Sequence, residues 1–143
     1  FQQFNLIGRR SALDNVLTGR LGAMPLWRVL TRRFAEDDVA RAHAALAAVG
    51  LTRHAGQRGD TLSGGQQQRT AIARALAQES RVLLADEPVA SLDPDNASAI
   101  LDLLRRLAHE RGLAVLATLH QPDLAHRFAD RIVEMRDGRI VDA

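Results

Sequence analysis

The order of apolar and polar positions divides the chain into two regimes. Residues 7–60 carry helical and loop patterns with no convincing strand, whereas from residue 81 apolar runs of strand length alternate with helical stripes. In the first regime, residues 36–49 set Val39, Ala42, Leu46 and Val49 on one helical face. Glu36, Asp37 and Asp38 at the start, and Gly50 just past the end, are the expected boundary signals: acid at the positive end of the helix dipole, glycine at the stop. In the second regime, "RVLLAD" (81–86) is a continuous apolar run closed by a carboxylate, which predicts a buried parallel strand. "DPDNASAILDLLRRLAHERG" predicts a helix capped by Asp93, with Pro94 at its first position. Ile100, Leu101, Leu104, Leu107 and Ala108 form its apolar stripe, and Gly112 ends it. "LAVLATLH" (113–120) predicts a second buried strand, followed by a short helix near 122–128. "RIVEMRDGRIVDA" then reads as an antiparallel hairpin across Asp137-Gly138. The second half is therefore α/β, a class in which ligands bind beyond the carboxyl ends of the strands.

Three stretches could carry chemistry at or near those ends. Asp86 and Glu87 close the first strand. One such carboxylate can hold Mg²⁺, which takes one or two carboxylates plus substrate phosphates, and the next can act as base on a water within reach. His120 closes the second strand and could contact a terminal phosphate. "LSGGQQQRTAIARALAQ" (62–78) runs a serine and two glycines into a good helix former, where exposed N–H groups and roughly +0.5 of a dipole charge suit an anion. Each signal alone has a plainer explanation: a solvated turn for Asp-Glu, a structural histidine, a simple N-cap for Ser-Gly-Gly. Their order along one chain gives them weight.

Composition narrows the field. The chain has 143 residues, 46% hydrophobic and 25% charged, the size and make-up of one globular domain. Its 19 basic residues are all arginine, so the lysine of a G-x-x-x-x-G-K-[S/T] phosphate cradle must come from elsewhere. The high pI of about 10.7 reflects the lack of groups titrating between His and Arg. Net charge is only +2, which argues against nucleic-acid binding. No cysteine is present, which excludes disulfides and thiolate metal sites. No apolar run approaches the ~18 residues of a membrane span. The chain opens on Phe1 in mid-pattern, and we expect it to be a piece of a longer protein.

Five motifs in order then carry a resemblance. "LSGGQQQR" (62–69), "LLADEP" (83–88), "SLDP" (91–94) and "TLH" (118–120) resemble the signature, Walker B, D-loop and H-loop of ABC-type ATPase subunits, and "FQQFNLI" resembles their Q-loop. The resemblance covers essentially the whole chain and implies the C-terminal part of a P-loop NTPase (ABC-type) core with a helical subdomain. Residues 1–60 would form the Q-loop and helical subdomain, and residues 61–143 the signature helix and the rest of the catalytic core. The Walker A loop and the adenine-stacking aromatic belong upstream of the Q-loop in this family, and neither is found in this sequence.

Members of that family dimerise head to tail, with each ATP between one subunit's Walker motifs and the other's signature. The resemblance thus implies that Ser63, Gly64, Gly65 and Gln66 hold the γ-phosphate of an ATP bound mainly by the opposite subunit. Asp86 would assist Mg²⁺, Glu87 would serve as general base and His120 would contact the γ-phosphate. Asp93 would lie at the subunit interface. Gln2 would touch Mg²⁺ or the attacking water; Gln3 fits the Q-loop position less well, since the pattern sets the glutamine directly after the aromatic. Implied partners are a second ATP-binding subunit, transmembrane permease subunits and, indirectly, a periplasmic substrate-binding protein, at the cytoplasmic face of a bacterial inner membrane.

"MPLWRVLTRRF" and "TLHQPDLAHRFADRIV" are most like the ATP-binding subunits of phosphonate importers. Relatives that import phosphate, polar amino acids or methionine usually carry Asp where this chain has Gln121. Trp27, Arg28, Arg32 and Arg33 invite a ligand reading, but an amphipathic helix with a solvated basic face explains them more simply. Two other classes compete. Soluble ABC ATPases of translation or DNA maintenance carry a second cassette or long coiled-coil insertions, which are not seen here. A non-catalytic interaction piece would neither bind ATP tightly nor hydrolyse it, as expected of this chain alone.

Overall fold

In the computed structural model, which describes residues 5–31 and 33–141, the first half is helical. It comprises α1 (Ala12–Leu17), α2 (Leu26–Thr31), α3 (Glu36–Ala48) and α4 (Gly64–Leu76), joined through short 3₁₀ turns at Thr18–Ala23, Thr52–His54 and Gly59–Thr61. Local chemistry sets the ends. Ser11 caps α1 in a reciprocal box with Asp14, and Gly50 leaves α3 at φ 77°, a left-handed position that glycine takes without strain. Ala42, Leu46 and Val49 are fully buried, as the stripe predicts, and α1, α3 and α4 pack on one another around them.

One expectation on this helix changes. Asp38 is more than an acidic start signal: it is buried and accepts from Arg20 Nε at 2.9 Å. Arg20 Nη1 also donates to the Ala77 carbonyl at 2.8 Å and to Glu79 at 2.9 Å. One guanidinium thereby ties the turn after α1 to α3 and to the end of α4. The same turn approaches α4 so closely that a Cβ on Gly19 would lie 2.2 Å from the Arg74 carbonyl oxygen.

The segment around Trp27 also departs from expectation. Helix α2 has six residues, too few to build a stripe against the core. Leu26, Trp27 and Leu30 are exposed, while Arg28 is half-buried and stacks over the Trp27 ring at 5.1 Å. Arg32 lies outside the described residues.

The second half follows the predicted order: β1 (Val82–Asp86), α5 (Pro94–Arg111), β2 (Ala114–Thr118), α6 (Pro122–Phe128), then β3 (Glu134–Arg136) and β4 (Arg139–Val141). Strands β1 and β2 pair in parallel, from Val82 opposite Ala114 to Asp86 opposite Thr118. Asp93 caps α5, Pro94 is its first residue, and Gly112 ends it at φ 60°. Its buried face adds Ala97 and Leu103 to the predicted stripe, with Ala108 at the edge. The hairpin turns through Asp137 and Gly138, both at positive φ, as a two-residue turn matched to strand twist requires.

The two parallel strands, expected to be buried, are covered on one face. Leu83 is buried, with Val115 beside it half-buried, while Val82, Leu84 and Leu116 are 52%, 72% and 66% exposed. Side chains alternate between faces, α5 packs against the sheet, and no layer covers the other face among the described residues. Asp86 and Thr118 stand at the end of that open face. Among the described residues no helix is long and apolar enough to cross a membrane.

Candidate functional site

The carboxyl ends of β1 and β2 gather three of the predicted residues. Directly after Asp86 the chain turns through Glu87 at φ 45°, a left-handed conformation uncommon for a residue with a side chain and found preferentially at functional turns. Thr118, opposite Asp86 in the sheet, holds this turn from both sides. Its hydroxyl donates to Asp86 Oδ1 at 2.8 Å and accepts the Glu87 N–H at 2.9 Å. The bond from Thr118 holds the Asp86 carboxyl below the usual carboxylate range. His120 Nε2 lies 2.5 Å from Glu87 Oε1, which fixes the orientation of both side chains in the open. Glu87, Thr118 and His120 line one depression with Val89, Ala90, Leu119 and Gln121.

Chemically, one sheet edge offers two carboxylates, one that could take a proton and one that could hold a cation, with an imidazole beside them. Asp86 is an exposed, ionised oxygen donor of the kind Mg²⁺ accepts. Among the described residues no cluster of three His, Cys, Asp or Glu is placed to chelate a metal. Thr118 was not singled out from the sequence as a site residue. Its signal is a polar residue at the open end of an apolar strand, and its partner is fixed only by the strand register.

The two glycines that run into a helix former in the sequence are themselves part of the helix. Helix α4 begins at Gly64, with Ser63 as its N-cap and Gln66 as its third residue. Ser63 Oγ accepts the Gln66 N–H at 3.3 Å, and Gln66 Oε1 accepts the Ser63 N–H at 2.9 Å. This capping box moves both glycines into the first turn, where N–H groups have no carbonyl a turn earlier. The Gly64 and Gly65 N–H groups therefore carry the positive end of the dipole, and the Ser63 hydroxyl keeps its proton for donation.

This turn lies outside the depression and rests on the start of α5. A Cβ on Gly64 would meet Leu92 Cδ2 at 3.6 Å, and one on Gly65 would meet Asn96 Oδ1 at 3.1 Å. Asp93 accepts the Asn96 N–H at 3.1 Å and the Asn96 side-chain amide at 2.6 Å, bonds that hold its carboxyl below the usual range. Asp93 is thus brought beside Gly65 through Asn96. Gln2, with Phe1 and Gln3, lies outside the described residues.

The family model described as "ABC transporter" matches residues 1–90, a span that takes in the Ser63 turn and the Asp86-Glu87 strand end. The chain belongs to the ABC transporter family. Among curated proteins it is 52% identical over 140 residues to the phosphonates import ATP-binding protein PhnC of Escherichia coli strain K12, and equally to that of Shigella sonnei. Each match covers 98% of this chain and 53% of the relative, so the chain spans about half the length of the curated relatives it matches. Among solved structures, the dimeric post-hydrolysis state of the ATP-binding cassette MJ0796, bound to ADP and Pi, matches with a TM-score of 0.76 at 37% identity, over 98% of this chain and 58% of that one. CbiO1 of Clostridium perfringens, part of the ABC transporter complex cbiONQ, matches with a TM-score of 0.81 at 30% identity, over 96% and 51%. The α/β fold is accordingly that of the ABC-type P-loop NTPase core.

Proposed function

We propose that this chain is part of the ATP-hydrolysing subunit of a bacterial importer of phosphonates. The reading of the site rests on one observation: Asp86, Glu87 and His120 meet at the end of a parallel sheet, while a separate glycine turn presents N–H groups at the start of α4. Asp86 would hold Mg²⁺, which when bound offsets charge on the phosphates of ATP. Glu87 accepts a proton from the attacking water, and His120 orients Glu87 and contacts the terminal phosphate. Ser63, Gly64, Gly65 and Gln66 bind the terminal phosphate of a nucleotide held mainly by a second copy, and Asp93 stands at that interface. Gln2 is assigned to Mg²⁺ or the attacking water on motif position alone. Because the chain lacks lysine, the lysine-bearing phosphate loop is supplied by sequence outside it.

The phosphonate assignment follows the named relatives, whose identity extends over 98% of this chain. In the same reading, residues 1–60 make the helical subdomain and residues 61–143 the signature helix and catalytic core. The complete subunit forms a homodimer on the cytoplasmic side of permease subunits, and a periplasmic binding protein selects the solute.

Ser63→Arg in the complete subunit tests the central claim. An arginine there fills the phosphate space of the partner's nucleotide, so hydrolysis fails while a monomer still binds ATP. Paired in one dimer with a subunit lacking the phosphate-loop lysine, both lesions fall on one composite site and the other site stays chemically intact. Loss of ATP binding by the Ser63→Arg monomer would overturn the assignment across the interface.

A further inference from the structure

His54 ends the 3₁₀ turn Thr52–His54, and its half-buried ring reaches the N-terminus of α4. Its Nε2 lies 3.1 Å from Gln66 Nε2, whereas its Nδ1 is buried with no hydrogen-bond partner among the described residues. These two facts fix a proton. Gln66 commits its amide oxygen to the Ser63 N–H at 2.9 Å, so the NH₂ faces His54. Turning the amide over would set NH₂ against N–H, donor to donor. An NH₂ group only donates, hence His54 Nε2 accepts and the ring proton sits on Nδ1. That tautomer leaves a buried N–H without an acceptor, an unfavourable arrangement that the bond at Nε2 must offset.

We infer that His54 is a positioning residue for the anion-binding turn. Its Nε2 holds the Gln66 amide, the amide holds the Ser63 N–H, and the Gly64 and Gly65 N–H groups are thereby aimed in one direction. The inference rests on the reading of this turn as a phosphate site, and nothing in the relay touches the nucleotide except through Ser63 and Gln66. A ring that merely filled space between the turn and α4 would need neither a fixed tautomer nor an acceptor.

The test uses the complete subunit and three variants. His54→Phe keeps the ring and removes the acceptor, whereas His54→Gln keeps an acceptor able to reach the Gln66 amide. Loss of one such hydrogen bond predicts about a three- to tenfold fall in the hydrolysis rate at saturating Mg-ATP for His54→Phe, with ATP binding by the monomer unchanged. His54→Gln should recover to within about twofold of wild type, the effect of a bond largely retained. Equal losses in both variants, or wild-type hydrolysis in His54→Phe, overturn the inference. Two-bond proton–nitrogen correlation of the labelled ring gives a readout independent of activity: the inference requires the proton on Nδ1, and finding it on Nε2 overturns it even where His54→Phe fails to fold. Ser63→Arg serves as control. If it leaves hydrolysis intact, the phosphate reading fails and the tautomer alone decides whether His54 holds Gln66.

Discussion

Gly64→Ala separates what the fold requires from what a bound phosphate requires. Gly64 is the first residue of α4 and does not occupy a positive φ, so its backbone admits any L-residue. A Cβ there would meet Leu92 Cδ2 at 3.6 Å, ordinary van der Waals contact. The folded chain therefore loses nothing, and the unfolded chain loses freedom, which predicts about 0.4–1 kcal/mol of added stability. The same methyl projects beside the N–H groups that would meet a phosphate oxygen. Removing one well-placed donor from an anion site costs roughly 10²–10³ in rate, and holding the phosphate off two donors should cost at least about tenfold. Urea unfolding and steady-state hydrolysis, measured on one preparation of the complete subunit, should thus move in opposite directions. Wild-type hydrolysis by Gly64→Ala would refute the close approach of an anion, and a destabilisation beyond about 1 kcal/mol would refute the packing read at Leu92. Gly65→Ala is the contrast: its Cβ would lie 3.1 Å from Asn96 Oδ1, so Asn96 must yield and the Asp93 cap is disturbed too.

Glu87→Gln should leave ATP binding intact and lower turnover by about 10²–10⁴, the range of a lost general base; a near-normal rate would remove Glu87 from that role. Thr118→Val removes the hydroxyl that binds Asp86 and accepts the Glu87 N–H, so hydrolysis should fall and need more Mg²⁺, with Thr118→Ser restoring both; an unchanged Mg²⁺ requirement counts against Thr118 as a positioning residue. Asp38→Ala leaves Arg20 with the Ala77 carbonyl and the more exposed Glu79, and urea unfolding should show a loss near the low end of the ~3–5 kcal/mol for a broken buried pair; less than about 1 would mean the network is not needed. Asn96 lowers the pKa of Asp93 in the folded chain, so the stability of this cap is complete above the usual carboxylate pKa of about 3.9 and is lost as pH falls through the lowered value. Asp93→Asn should flatten that acid slope in thermal melts, and an unchanged slope would assign it to other groups.

The parts of the fold legible in the sequence are those decided locally. Asp93, Pro94 and Gly112 mark the ends of α5 by chemistry acting within one turn, and Asp137-Gly138 marks the hairpin by the φ values it alone tolerates. The strand ends were legible because an apolar run closed by Asp86 or by Thr118 to His120 already states which end is polar. What was missed depends on partners distant in the chain. Asp38 reads as a helix-start acid until Arg20, 18 residues earlier, is brought against it. Thr118 acquires a role once the register sets it opposite Asp86. The one-sided burial of β1 and β2 is invisible to periodicity, because Val82, Leu84 and Leu116 are as apolar as the buried Leu83. The start of α4 at Gly64 is hidden in the sequence for a different reason: glycine propensity argues against a helix there, and the Ser63–Gln66 box overrides it.

The two halves of the candidate site are separate in space yet joined by a short piece of backbone. From Glu87, whose left-handed turn is pinned by Thr118, the chain reaches Leu92 against Gly64 and Asp93 at the cap of α5 within six residues. Asn96, one turn further on, holds Asp93 and touches the position of a Gly65 Cβ. On the proposed reading, Glu87 serves the nucleotide of its own subunit while Gly64 and Gly65 serve the nucleotide of the other. On that reading, a segment this short, fixed at both ends by hydrogen bonds, is the route by which a shift of the Glu87 backbone would reach the glycine turn. Coupling between the two nucleotides then needs no long pathway, since the residues that meet them are neighbours along residues 87–96 and across the contact with α4. Thr118→Val, which acts at the Asp86–Glu87 end and touches no residue of the glycine turn, should therefore weaken the grip on the partner's nucleotide as well as the local chemistry. Filter retention of nucleotide by dimers of Thr118→Val and wild type, with hydrolysis blocked by Glu87→Gln in both, reads that grip directly, and equal retention would confine the effect of Thr118 to its own site.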